Sequence, residues 1–146
     1  MMTDNQILDR AAKILEGRMR TAEAINSPKA VQDFLKIKLH DMPFEVFSIV
    51  YLDAQRRLIE YEQLFRGTLT QTSVYPREVV KQALKYNAAA VILAHNHPSG
   101  VCEPSRADEL LTQALKAALD LVDIKVLDHI VIAGNVAWSF AERGRL

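Results

Sequence analysis

Residues Asn87 to Ala94 (Asn-Ala-Ala-Ala-Val-Ile-Leu-Ala) form an almost unbroken apolar run that ends in His95-Asn96-His97-Pro98. A run this short and this apolar predicts a strand buried on both faces. If the chain stays extended to the end of the run, His95 and His97 project to the same side, because strand side chains alternate with period two. Pro98 favours that geometry by pushing His97 out of the helical region. Pro98-Ser99-Gly100 then turns the chain, and Pro104-Ser105 leads into a helix that carries Asp108 in its first turn. An anion is favoured there by the positive end of the helix dipole. His95, His97 and Asp108 would make a His-His-carboxylate set with one position left for water, the pattern of a catalytic zinc site. Ser105-x-x-Asp108 is also an ordinary capping box.

The chain has 146 residues and 49% hydrophobic content, enough for one hydrophobic core. Its 18 basic and 18 acidic residues balance, so net charge offers no case for nucleic-acid or membrane binding. Cys102 is the one cysteine, which excludes an intramolecular disulfide and suits a reducing cytosol. No apolar stretch approaches the roughly 20 residues that span a bilayer. The N-terminus lacks the apolar centre of a signal peptide, and the expectation is a cytoplasmic protein.

Along the chain, Ile7, Leu8, Ala11, Ile14 and Leu15 recur at helical spacing, which predicts an amphipathic helix ending near Gly17. Ser27-Pro28 has the signature of a second helix start, with Ala30, Val31, Phe34, Leu35 and Leu39 as its apolar stripe. These helices make a segment over residues 1–40, ahead of a domain over 41–146. Phe44 to Leu52 reads as a strand, Asp53 to Arg56 as a tight turn, and Arg57 to Phe65 as a returning strand. Leu69 to Tyr75 reads as an edge strand. Pro76 opens a helix through Tyr86, with Val79, Val80, Ala83 and Leu84 inward and Asn87 ending it. A helix from Arg106 to about Leu121 carries the stripe Leu110, Leu111, Ala114, Leu115, Ala118 and Leu119. Ile124 to Ile132 and Val136 to Phe140 read as strands joined by a hairpin turn. The whole predicts an α/β fold with a mixed β-sheet flanked by helices.

Glu45 sits in a strand that is otherwise almost all apolar. It is either solvated at the strand's entrance, with pairing starting at Phe47, or held against a metal-bound water. In the second case it takes that water's proton, which zinc makes acidic near pH 7, and passes it to a leaving amine. Ser105 could then donate a hydrogen bond to the oxyanion of a tetrahedral intermediate.

His95-x-His97, seven residues, Ser105, two residues, Asp108, with Glu45 upstream, resembles the JAMM (MPN-plus) metalloprotease motif at every position. The stretches Pro76-Arg-Glu-Val79, Asn87-Ala-Ala-Ala90, His95-Asn-His-Pro-Ser-Gly100 and Leu127-Asp-His-Ile130 resemble its RadC-like branch, over roughly residues 40 to 146. The resemblance implies a cytidine-deaminase-like α-β-α sandwich, with His95, His97 and Asp108 as zinc ligands, Glu45 as general acid/base and Ser105 as oxyanion donor. Longer RadC proteins carry an N-terminal helical module related to DNA-binding folds, whereas the residues before 40 show no Gly-rich hairpin. The chain therefore looks more like the short, phage- and prophage-associated members.

His129, beside Asp128, either orients a metal ligand or is a packed core histidine. Cys102 reads as an inert, partly exposed thiol, His40 as surface, Arg56, Arg57 and Arg77 as solvated, and Trp138 as core. Two functions follow. The first is a zinc-dependent hydrolase acting on a peptide or protein. The second, resting on the RadC resemblance alone, is a DNA-repair-associated or nucleic-acid-binding accessory protein with a structural or vestigial metal site. A metal-dependent nuclease is a weaker third, because a mononuclear His-His-Asp site does not distinguish amide from phosphodiester hydrolysis.

Overall fold

The apolar run becomes the middle strand of a sheet, and all seven of its residues are buried. A computed structural model of the chain describes residues 1–21, 28–67 and 73–146. Their elements are α1 (Asp4–Thr21), α2 (Pro28–Leu39), β1 (Val46–Leu52), β2 (Leu58–Arg66), α3 (Pro76–Lys85), β3 (Ala90–Asn96), α4 (Arg106–Asp120), β4 (Lys125–Ala133) and β5 (Val136–Ser139). The strand order is β2-β1-β3-β4-β5. Only the β3–β4 pair is parallel; the other three pairs run antiparallel. The parallel pair needs a crossover, and the loop after β3 together with α4 supplies it.

Alternation along β3 builds a core on each face. Ala90, Ile92 and Ala94 pack with Val31, Phe34, Leu35 and Leu39 of α2 and Ala12 and Met19 of α1. Val91 and Leu93 pack with Val79 and Ala83 of α3 and Leu115 and Leu119 of α4. Each large aliphatic side chain so buried contributes about 1.5–3 kcal/mol, which is why an isolated seven-residue strand is stable here and nowhere in water. The result is an α/β fold, a mixed sheet between two helical layers. Among the described residues no helix is long and apolar enough to cross a membrane.

Several local expectations shift. Helix α1 does not stop at Gly17 but runs to Thr21. The buried Met19 in its last turn, together with Arg20 bonding to Glu16 and to the carbonyl of Ile59 on β2, outweighs the roughly 1 kcal/mol that a mid-helix glycine costs. Leu84 and Leu110 are exposed rather than inward, at 54% and 55%. Ala114 of the expected α4 stripe is exposed as well, because the buried face of that helix runs through Thr112, Leu115 and Leu119. Strand β1 begins at Val46, not Phe44. Ser27 and the first residues of the expected edge strand, Leu69 to Thr72, lie outside the described residues, and Ser73 to Tyr75 are not in a strand.

Candidate metal centre

At the C-terminal end of β3, alternation turns His95 toward the α3/α4 layer and Asn96 the other way. The chain stays extended one step further, since the His97 amide donates to the carbonyl of Ile132 at 2.8 Å and continues the ladder with β4. His97 therefore returns to the side of His95, and the two Nε2 atoms lie 3.0 Å apart. Gly100, at φ 86°, lets the following loop fold back, a conformation open to glycine at no steric cost. The carbonyl of Val101 thereby reaches His97 Nδ1 at 2.7 Å. A carbonyl can only accept, so Nδ1 carries a proton, and Nε2 is the nitrogen His97 turns toward His95 and Asp108.

Helix α4 brings the first carboxylate. Ser105 is its N-cap, and the capping box is complete: the Asp108 amide donates to Ser105 Oγ at 3.1 Å, and the Ser105 amide donates to Asp108 Oδ2 at 2.8 Å. The same Oδ2 lies 3.1 Å from His97 Nε2, while Oδ1 lies 3.4 Å from His95 Nε2. The cap and the cluster are thus one arrangement. Asp108 can bond both ways because a carboxylate has about four acceptor positions.

Glu45 completes the group from across the sheet. It stands one residue before β1, whose antiparallel pairing sets Phe47 opposite His95. It is only 9% exposed, and its carbonyl accepts from the Gly67 amide at 2.7 Å. The buried Asn96 fixes the backbone on either side of it. Its amide oxygen accepts from Val46 N at 2.7 Å and its nitrogen donates to Phe44 O at 3.0 Å. Replacing Asn96 by alanine leaves both backbone groups unpaired, and we expect a loss of about 1–3 kcal/mol in chemical denaturation.

One donor atom from each of Glu45, His95, His97 and Asp108 falls within a 4.8 Å sphere of mutual distances. Two imidazole nitrogens and two carboxylates are a donor set that suits a borderline divalent ion such as zinc, and these residues fit one. Ser105 does not join the four, but it lines the same groove of about 280 Å³ with Glu45, His97, Ser99 and Glu103.

The electrostatics are those of a site built for a cation. Burial opposes ionisation of Asp108, yet the adjacent His95 and His97 rings outweigh it and hold its carboxyl well below the usual carboxylate range. The hydrogen bond to Asp108 raises His97 above its ordinary value, with burial opposing. Burial pushes the Glu45 carboxyl up, and His95 and His97 offset only part of that. In the metal-free chain, the stability that His97 contributes is complete below its unfolded-state value and is lost as pH rises through the higher folded one. An incoming ion competes with that proton. Zinc affinity measured by chelator competition should therefore climb as pH rises from about 6 to 8, while Asp108 stays ionised throughout. An affinity that is flat over that window contradicts this.

Three contributors escape a sequence reading. Asn96 and the Val101 carbonyl act through backbone geometry and leave no side-chain pattern to read. Thr112, fully buried on α4, sits four residues after Asp108 on the same helical face, and that spacing was the one available signal. His129 is a packed core histidine, as one of its two readings expects: it is fully buried, and its Nε2 lies 2.7 Å from His95 Nδ1.

A mixed sheet between helical layers, with two histidines and two carboxylates at the end of its central strand, is the architecture of a JAB/MPN-type domain. Residues 25–145 match the RadC-like JAB domain family. The chain is 61% identical over 140 residues to a UPF0758 protein of Methylibium petroleiphilum, covering 96% of this chain and 63% of that one. It is 59% identical over 140 residues to UPF0758 proteins of Leptothrix cholodnii and of Thiobacillus denitrificans, again over 96% of this chain and 63% and 62% of theirs. The chain belongs to the RadC-like JAB domain family. It spans a little under two thirds of the length of these curated relatives.

Proposed function

We propose that the chain is a zinc-dependent hydrolase of peptide or isopeptide bonds, with His95, His97 and Asp108 holding the ion. The observation that carries this reading is the convergence of two imidazoles and the Asp108 carboxylate with a fourth group, the buried carboxyl of Glu45. When bound, zinc supplies Lewis acidity, polarising a carbonyl and making water a competent nucleophile near neutral pH.

The protein's own groups do the rest. Glu45 takes a proton from the attacking water and delivers it to the leaving amine, a role that asks for a carboxyl able to exist in both states near neutrality. Ser105 Oγ accepts from the Asp108 amide, so its own proton is free to donate to the oxyanion of the tetrahedral intermediate. Asp108 is pinned at the start of α4 by its cap bonds, which limits reorganisation as the reaction proceeds. The groove lined by Pro98, Ser99 and Glu103 opens beside the cluster, and in this reading it is where the substrate chain lies.

The test is cleavage of quenched-fluorescent peptides and of lysine-linked isopeptides by the zinc-loaded protein. We expect turnover that a chelator abolishes and that zinc restores. Zinc-loaded protein that cleaves neither bond type, at any pH where the site holds its metal, would overturn the proposal.

A further inference from the structure

Behind His95 lies a line of buried hydrogen bonds that the proposed chemistry does not use. His95 Nδ1 lies 2.7 Å from His129 Nε2, His129 Nδ1 lies 2.6 Å from Thr112 Oγ1, and Thr112 Oγ1 lies 2.7 Å from the carbonyl oxygen of Asp108. His129 and Thr112 are fully buried and His95 is 3% exposed, so water does not complete any of these bonds. We propose that Thr112 and His129 are positioning residues that lock His95 in the tautomer whose bare Nε2 faces Asp108 and His97.

The direction of the line follows from counting protons. A carbonyl oxygen has none, so the short contact with Asp108 is bridged by the single hydroxyl proton of Thr112. Thr112 then has only a lone pair to offer His129, and His129 Nδ1 must carry the proton between them. Neutral His129 therefore presents a bare Nε2, and the bond at 2.7 Å is donated by His95 Nδ1. His95 is left with an unprotonated Nε2 pointing into the cluster, the form a divalent ion requires. The opposite direction would put a proton on His95 Nε2 and close the site to metal.

The fold supports the line deliberately. In the parallel pairing of β3 with β4, Val91 faces Val126 but Ile92 faces Asp128, so Leu127 is an extra residue in β4. Without that bulge, alternation from Val126 would turn His129 away from α4; with it, His129 stands on the side of His95. Asp128 then holds the strand in place, accepting from the amides of His129 and Ala141 and from the Ser139 hydroxyl. The His129 ring stacks on Phe140 at 4.7 Å between centroids and meets the edge-on ring of Phe47 at 5.7 Å. These two rings fix the plane of His129, so its Nδ1 stays on Thr112 and its Nε2 on His95.

The inference rests on the metal reading only for its consequence, not for the tautomer itself. Long-range proton–nitrogen correlation spectra of the metal-free protein should show His129 and His95 both carrying their proton on Nδ1. A proton on His129 Nε2 overturns the proposal. Zinc affinity is then compared in wild type, Thr112→Val and Thr112→Ser. The isosteric valine leaves His129 Nδ1–H without an acceptor, and should weaken zinc binding by about 10–100-fold, the range for removal of a histidine ligand's outer partner. Serine keeps the hydroxyl and should restore affinity. Wild-type affinity in Thr112→Val overturns the relay while leaving the metal site standing. A wild-type chain that binds no zinc overturns the metal reading instead, and the nitrogen spectra still decide the tautomer.

Discussion

Replacing His95 and His97 together by alanine is expected to abolish metal binding: zinc-loaded wild type should retain about one ion per chain after dialysis against metal-free buffer, and the double variant only a trace. The expectation follows from the size of the donor set: a catalytic site has three protein ligands, and losing two leaves a single carboxylate, which cannot hold zinc against water. His97→Ala is the cleaner single variant. The His97 side chain is partly exposed and meets Val101, Asp108 and the edge of His95, so its loss leaves the core intact, whereas His95 is wedged between Phe47 and His129. Metal analysis of folded protein, with folding checked by circular dichroism, reads the result. Zinc retained at the wild-type level in the double variant would refute the site.

Glu45→Gln separates proton transfer from metal binding. Glutamine keeps the length and hydrogen-bonding capacity of the side chain but can neither take up nor release a proton near neutral pH. With Glu45 as the acid/base, turnover falls by about 10²–10⁴-fold while zinc content stays near one per chain. The two readouts decide different points. Lost turnover with retained metal assigns Glu45 to proton transfer. Loss of the metal itself would make Glu45 a fourth ligand, and unimpaired turnover would remove it from the chemistry altogether. The variant is structurally mild because the Glu45 backbone is fixed independently, by Gly67 and by Asn96 on its neighbours.

Much of this centre is legible before folding. The apolar run into His95-Asn-His97-Pro98 predicts a two-faced strand, and period-two alternation places both imidazoles on one side. Ser105-x-x-Asp108 marks a helix start whose third residue faces back along the cap. These inferences hold because they depend on dihedral periodicity and local hydrogen bonds, which a few adjacent residues decide. The proximity of Glu45 is a different case. Its position within an apolar run marks it as unusual, but the reading of a solvated strand entrance is set aside only when β1 pairs with β3 and Glu45 is enclosed beside His95 and Asp108. The burial of Glu45 just outside β1 shows that a residue can precede the strand and still be enclosed by it.

Local sequence determined which elements form and which way the histidines point, because the backbone's few allowed conformations impose fixed repeats on side-chain direction. Only the tertiary structure decided the line from Thr112 through His129 to His95. It depends on one extra residue in β4, on how α4 lies across the sheet, and on which groups lack water as an alternative partner. Strand register and exclusion of solvent are collective outcomes of packing, so no window of the sequence contains them.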